Sequence, residues 1–286
     1  MTLRRAPLFA QALLEKLDVR GVPDVRQIAA GLGVEVEEAD ANTFDGALVR
    51  FKGSIEGVIA IRKSIRETGR KNFTIAHELG HLLLPGHDES TVCQAGDVET
   101  WDEGLSNQEL EANEFAGELL LPTTLIRSAV GRGKPTFEAI DAVARTYATT
   151  LTATAYRFME ETSHASALVW SHAGVAKWCK RSQEFDRWIR LGERLDARTF
   201  ASNCFDGNAI PTRPERVQAE AWLEGSNPSA ATVFEETRCM KWYDGALTLL
   251  WIAEPFPESR SVDGDPDTDL DPDEFTLRRK RWPGKR

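Results

Sequence analysis

The chain reads as an α+β protein: a mainly helical core with a small β-sheet, followed by a smaller α+β domain. Three observations predict this. Apolar residues recur at helical spacing through most of the first 160 or so positions. Two β-prone segments interrupt them between residues 46 and 61. Near residue 162 the character changes to short strand-like runs. At 286 residues, 41% hydrophobic and 28% charged, the chain has an ordinary soluble composition and the length for two compact domains.

The elements follow in order. Leu8 to Leu17 reads as a helix with Leu13, Leu14 and Leu17 on its apolar side. Asp24 to Leu32 reads as a second helix, ended by Gly33, and Val34-Glu35-Val36 starts a strand. Gly46 to Phe51 and Gly57 to Ile61 read as a β-pair joined through Lys52-Gly53-Ser54. Arg66 to Leu84 is a long helix that Pro85-Gly86 terminates. Residues 85 to 104 read as a polar loop containing Cys93. Gln108 to Leu120 is a helix stopped by Pro122, and another follows from Thr123 to Val130. The pair Thr136 to Tyr147 and Thr152 to Met159 has a helix-turn-helix look, although most such pairs are packing units.

Beyond residue 162, Ala167 to Trp170, Ala231 to Phe234 and Ala246 to Ile252 read as strands. Phe185 to Leu191 and Arg216 to Leu223 lie between them as strand or helix elements. The expected layout is a first domain at 1–162, a second α+β domain at 163–257, and a tail at 258–286. The tail is acidic and then basic, with few apolar residues, and is expected to be disordered.

Composition excludes several classes. No apolar run approaches the roughly 20 residues of a membrane helix. The N-terminus shows no signal-peptide core, so a cytoplasmic protein is expected. The four cysteines, Cys93, Cys179, Cys204 and Cys239, are widely spaced and form no C-x-x-C pair. Neither a zinc knuckle nor a disulfide framework is expected, and Cys179, Cys204 and Cys239 read as core fillers. A net charge of −10 argues against generic DNA coating. Local basic-aromatic stretches remain: Lys177, Lys180, Arg181, Arg187 and Arg190 near Trp178 and Trp188, and Arg278 to Arg281 before Trp282.

The chemistry concentrates in His77-Glu78-Leu79-Gly80-His81. Histidines at i and i+4 share one helix face, so both imidazoles can reach one Zn²⁺. Glu78 is placed to take a proton from a water there, the H-E-x-x-H arrangement of zinc peptidases. A hydrolytic zinc needs a third protein ligand. In the segment Gln108 to Ala116, Glu109, Ala112, Asn113 and Ala116 share a face, and the two alanines let that helix pack closely. Glu109 is the first choice of ligand and Glu111 the second. Asn113 is placed to hold a ligand imidazole from behind. Glu111, Glu114 and Glu118 read as more outward and solvated. Tyr147, Tyr156 and His164 are candidates for oxyanion stabilisation, and His87 reads as a loop residue. Cys93 lies between the two ligand-bearing segments. Its thiolate on the zinc would displace the catalytic water, an inhibitory latch.

Phe73 to Leu84 together with Glu109 to Pro122 resembles the ImmA/IrrE family of zinc metallopeptidases, as do Phe44-Asp45-Gly46-Ala47-Leu48 and Asp24 to Val34. The resemblance covers about residues 8–160. It implies a zincin-like fold and makes Glu109 the third ligand, in agreement with the face argument. Leu121 stands where the family commonly has methionine. The resemblance also implies a helix-turn-helix repressor as substrate and, in several members, a GAF- or PAS-like sensor domain, here at 163–257. The layout is similar to CapP-type proteases, which act on a CapH-type repressor of antiphage operons. That similarity implies single-stranded DNA as activator and a cysteine as inhibitor. Two rivals stand beside this reading. One is a non-proteolytic partner-binding regulator, an antitoxin or co-repressor with a structural zinc. The other is a DNA-binding regulator using residues 136–159.

Overall fold

The computed structural model describes residues 5–41, 43–50, 56–87, 90–93, 106–130, 133–224 and 232–253. The architecture is α+β. Helices α1 (Arg5–Lys16) and α2 (Val25–Gly31) lead into β1 (Val34–Ala39). The Asp24 carboxylate caps α2 by accepting from the amides of Arg26 and Gln27. Strands β2 (Gly46–Arg50) and β3 (Gly57–Arg62) precede α3 (Thr68–Leu83). A short β4 (Ser90–Cys93) follows, then α4 (Asn107–Leu120), α5 (Thr123–Val130), α6 (Phe137–Tyr147) and α7 (Leu151–Glu161).

The first sheet has the order β1-β3-β2-β4, with β1 parallel to β3 and the other two pairings antiparallel. β4 corrects the expectation of a plain polar loop over 85–104. Ser-Thr-Val-Cys suits extended backbone, and the outer edge of β2 supplies the ladder that a free loop lacks. The Lys52-Gly53-Ser54 connection lies outside the described residues.

After α7 come β5 (Ser166–His172), β6 (Val175–Arg181), β7 (Trp188–Ile189), α8 (Phe200–Asp206), β8 (Glu215–Val217), β9 (Leu223–Glu224), β10 (Thr232–Met240) and β11 (Gly245–Ala253). Five strands form an antiparallel sheet in the order β6-β5-β11-β10-β8, and β7 pairs with β9. The stretches 185–191 and 216–223 resolve into the short strands β7, β8 and β9 and a 3-10 turn at Ala219–Ala221.

One core joins α5, α6 and α7 to this sheet. Ile126, Phe137, Ile140, Phe158 and Met159 pack with Leu168, Trp178, Leu247 and Leu249. Polar ties cross the same boundary. The Phe137 amide donates to Glu236 Oε2 at 2.9 Å, Arg238 pairs with Asp141 at 3.0 Å, and Lys180 with Glu160 at 2.7 Å. The described residues, all within 1–254, accordingly form one compact unit. The acidic-basic tail at 258–286 lies outside the described residues.

Two expectations need correction. Cys204 and Cys239 are joined in a disulfide rather than acting as separate core fillers. Their Cα atoms lie 5.5 Å apart because α8 packs on β10, a proximity that 35 residues of sequence separation conceal. Glu118 is buried rather than solvated. Arg157 Nη2 donates to its Oε2 at 2.6 Å, Thr123 Oγ1 at 2.8 Å, and Gln11 Nε2 to its Oε1 at 3.0 Å. A carboxylate with that many donors from α1, α5 and α7 can leave water.

Candidate metal centre

The site is built where α3 crosses α4. Eleven residues of α3 are buried, among them His77, Glu78 and His81. The helix is anchored at its start by Asn72 Nδ2, which donates to the Ala148 carbonyl at 3.0 Å. Small residues allow the close crossing: a Cβ at Gly80 would lie 3.1 Å from Ala112 Cα. A larger residue at either position would separate the helices and the ligands they carry. On α4 the Ser106 hydroxyl accepts from the Glu109 amide at 3.3 Å, which orients the first turn.

His77 Nε2 and His81 Nε2 lie 3.1 Å apart and face the same carboxylate. Glu109 Oε2 is 3.0 Å from the first and Glu109 Oε1 is 3.4 Å from the second. Cys93 Sγ is 3.7 Å from His81 Nε2. All four donor atoms fall within 4.8 Å of one another. Two imidazoles, a carboxylate and a thiol fit a four-coordinate zinc in donor type and spacing. Asn113 Oδ1 sits 2.9 Å behind His77 Nδ1, where it accepts the proton that a metal-binding imidazole must carry.

Electrostatics favour a cation. Burial works against charge on Glu109, yet hydrogen bonds from His77 and His81 and their charge hold its carboxyl down to about 2. Burial lowers the pKa of His77, but the hydrogen bond to Glu109, the charges of Glu78 and Glu109, and Asn113 raise it overall. Negative charge that retains a proton in this way also retains a metal ion.

Glu78 and Cys93 both border Gly46 at the start of β2. Gly46 lies opposite Cys93 in the β2–β4 ladder. A Cβ at Gly46 would fall 2.6 Å from Thr74 Cγ2 and nearer still to Glu78 Oε1. The buried Asp45 holds this corner. Its amide donates to the Cys93 carbonyl at 3.0 Å, and its carboxylate binds Arg62 and Arg70, each at 2.5 Å.

The structure thus brings His77, Glu78, His81, Cys93, Glu109 and Asn113 together. Glu111 lies off the cluster. Tyr147 and Tyr156 pack at the core shared with the C-terminal sheet. The His164 carbonyl accepts from Ser182 Oγ. Sequence reasoning left His87 as a loop residue, whereas its Nδ1 lies 2.9 Å from His81 Nδ1. The signal was the Pro85-Gly86 turn, which reverses the chain over the end of α3. In the basic-aromatic stretch Trp178 is buried, while Trp188 is exposed with Arg181 4.4 Å above its ring. The pair α6–α7 buries its apolar faces in the shared core. Arg278 to Trp282 lies outside the described residues. Among the described residues, no helix is long and apolar enough to cross a membrane.

A metal-binding donor set on two crossed helices, beside a buried glutamate, defines the class: a metallopeptidase-like centre in an α+β frame. Comparison with known proteins supports this more specifically. Residues 29–159 match the peptidase family model described as the IrrE N-terminal-like domain. The radiation response metalloprotease IrrE of Deinococcus deserti is 30% identical over an alignment of 152 residues that covers 49% of this chain and 53% of that protein. The chain thus spans about half the length of that curated relative. Both matches support the ImmA/IrrE family for this region. A solved structure, a Mycobacterium tuberculosis transcriptional regulator, aligns with 87% of this chain and 76% of its own, at a TM-score of 0.51 and 14% identity. That likeness is one of fold, and its extent takes in the C-terminal sheet as well as the peptidase region.

Proposed function

We propose that the chain is a zinc endopeptidase that cleaves a helix-turn-helix repressor in the cytoplasm and so derepresses a stress-response or antiphage operon. One observation carries the reading: His77, His81 and Glu109 converge on one point, close enough to the Glu78 carboxylate for its charge to act on His77. Bound zinc would acidify a water and polarise the scissile carbonyl. Glu78 takes the proton of the attacking water and passes it to the leaving amine. Asn113 keeps His77 in the ligating tautomer.

Cys93 supplies the restraint. With its thiolate in place, Cys93 would join His77, His81 and Glu109 as a fourth donor to a bound zinc, in the place a water would otherwise take. Withdrawal of β4 from the edge of β2 removes the thiolate and opens that edge to an extended peptide. The C-terminal sheet, read as a GAF- or PAS-like sensor, is tied to α6 and α7 by Glu236, Arg238 and Lys180, so a ligand there can bias the state of the peptidase region. Single-stranded DNA is the proposed ligand, in the manner of CapP-type proteases acting on a CapH-type repressor.

The test is co-expression with a neighbouring helix-turn-helix repressor, read as repressor mass, with and without single-stranded DNA. Wild type and Cys93→Ala cleave it, Cys93→Ala without the activator. Glu78→Gln keeps its zinc and loses at least about 10²-fold in rate. A second reading also draws on the structure. A closed set of four ligands is what a structural zinc would have, and would suit a non-proteolytic antitoxin or co-repressor. Repressor that stays intact with wild type and Cys93→Ala alike, both zinc-loaded, favours that reading.

A further inference from the structure

We infer that His87 and Glu111 are positioning residues for the metal centre: they hold His81 in its ligating tautomer, as Asn113 holds His77. The inference rests on the metallopeptidase reading above. An imidazole that offers Nε2 to a cation carries its proton on Nδ1 and must donate it. For His77 the acceptor is Asn113 Oδ1. For His81 the group facing Nδ1, at 2.9 Å, is His87 Nδ1. That nitrogen then accepts, so the single proton of neutral His87 sits on Nε2. There it meets Glu111 Oε2 at 3.1 Å. One tautomer satisfies all three groups in sequence.

The surrounding backbone is shaped for this placement. Leu84 turns extended, and Gly86 takes φ +90°, a conformation that favours glycine. Gln108 Nε2, on α4, donates to the Gly86 carbonyl at 2.8 Å and pins the turn against the helix that carries Glu109 and Glu111. The His87 side chain is 1% exposed, while Glu111 is 45% exposed at the outer end. The residue packed against His81 is therefore fixed from both sides, not a loop histidine in passing contact.

The experiment measures zinc affinity of the full-length protein by chelator competition, alongside the melting temperature of metal-stripped protein. His87→Phe fills the space and removes the acceptor; zinc affinity is expected to fall about 10- to 100-fold. His87→Asn keeps an acceptor near the Nδ1 position and should stay within about threefold of wild type. Glu111→Ala should fall between the two. Equal zinc affinity of His87→Phe and wild type would overturn the inference. So would equal weakening in the Phe and Asn variants with matching losses in metal-free melting temperature, because His87 would then be a structural plug. Wild-type protein that takes up no zinc overturns the metallopeptidase reading and this inference with it. Zinc-loaded protein that cleaves nothing counts only against the former.

Discussion

Replacing Gly46 with alanine should disable the site without removing a single functional group. The added methyl would sit 2.6 Å from Thr74 Cγ2 and closer to Glu78 Oε1, where ordinary contact begins near 3.4 Å. Both neighbours belong to α3 and are fully buried, so neither can swing into solvent. Relief therefore requires roughly 1 Å of movement by the Glu78 carboxylate or by β2 itself, and misplacement on that scale costs about 10²-fold in rate. The overpacking adds about 1–3 kcal/mol of destabilisation. The assay compares kcat on the proposed repressor substrate, bound zinc and urea-unfolding free energy. Zinc should stay bound, because His77, His81 and Glu109, proposed to hold it, lie on α3 and α4 rather than on β2. Gly31→Ala is the control: it sits at the end of α2 with nothing within 4 Å of its new methyl, and should be neutral or stabilise by up to about 1 kcal/mol. Wild-type turnover and stability in Gly46→Ala would show that Glu78 has room, and would refute the claim that β2 sets its position.

Three further outcomes follow from the same structure. Arg157→Met leaves the buried Glu118 carboxylate without its guanidinium and should cost about 3–5 kcal/mol, whereas loss of the exposed Arg127–Glu161 pair by Arg127→Ala should stay within about 1 kcal/mol. Protein unfolded under non-reducing conditions should titrate two thiols and, after reduction, four; four at the outset would deny the Cys204–Cys239 bond. Burial raises the pKa of Glu235 above 4.5 despite hydrogen bonds from Trp222, Thr237 and the backbone. The native state thus holds a proton that the unfolded chain has released, and stability from this group declines as pH rises above 4.5. Glu235→Gln should gain on wild type over that range in urea unfolding at stepped pH, and a constant gap would refute the assignment.

Much of the centre was legible in the sequence because its logic is local. His77 and His81 share a face through helical periodicity alone, and Glu78 is fixed by being next to the first histidine. Glu109 and Asn113 were readable for the same reason, helped by Ala112, whose small side chain implies a close neighbour. The helices themselves follow from apolar spacing and from stops such as Gly33, Pro85-Gly86 and Pro122.

Other features depended on partners distant in the chain. β4 exists because β2 has a free edge, and its own four residues carry too weak a signal to announce it. Glu118 looked solvated because Arg157 lies 39 residues away, and only the packing of α7 on α4 makes a buried carboxylate tolerable. The Cys204–Cys239 pairing needed α8 to lie on β10. His87 gained a role only when the Pro85-Gly86 turn folded it onto His81. The sequence by itself determined the two helices of the candidate site and the residue types they carry, since periodicity and residue type act over a few positions. Tertiary structure alone decided what surrounds that chemistry: the thiol and the second histidine beside His81, and the core that joins the two halves. Those depend on which surfaces meet, and burial can make a residue a partner that no local pattern names.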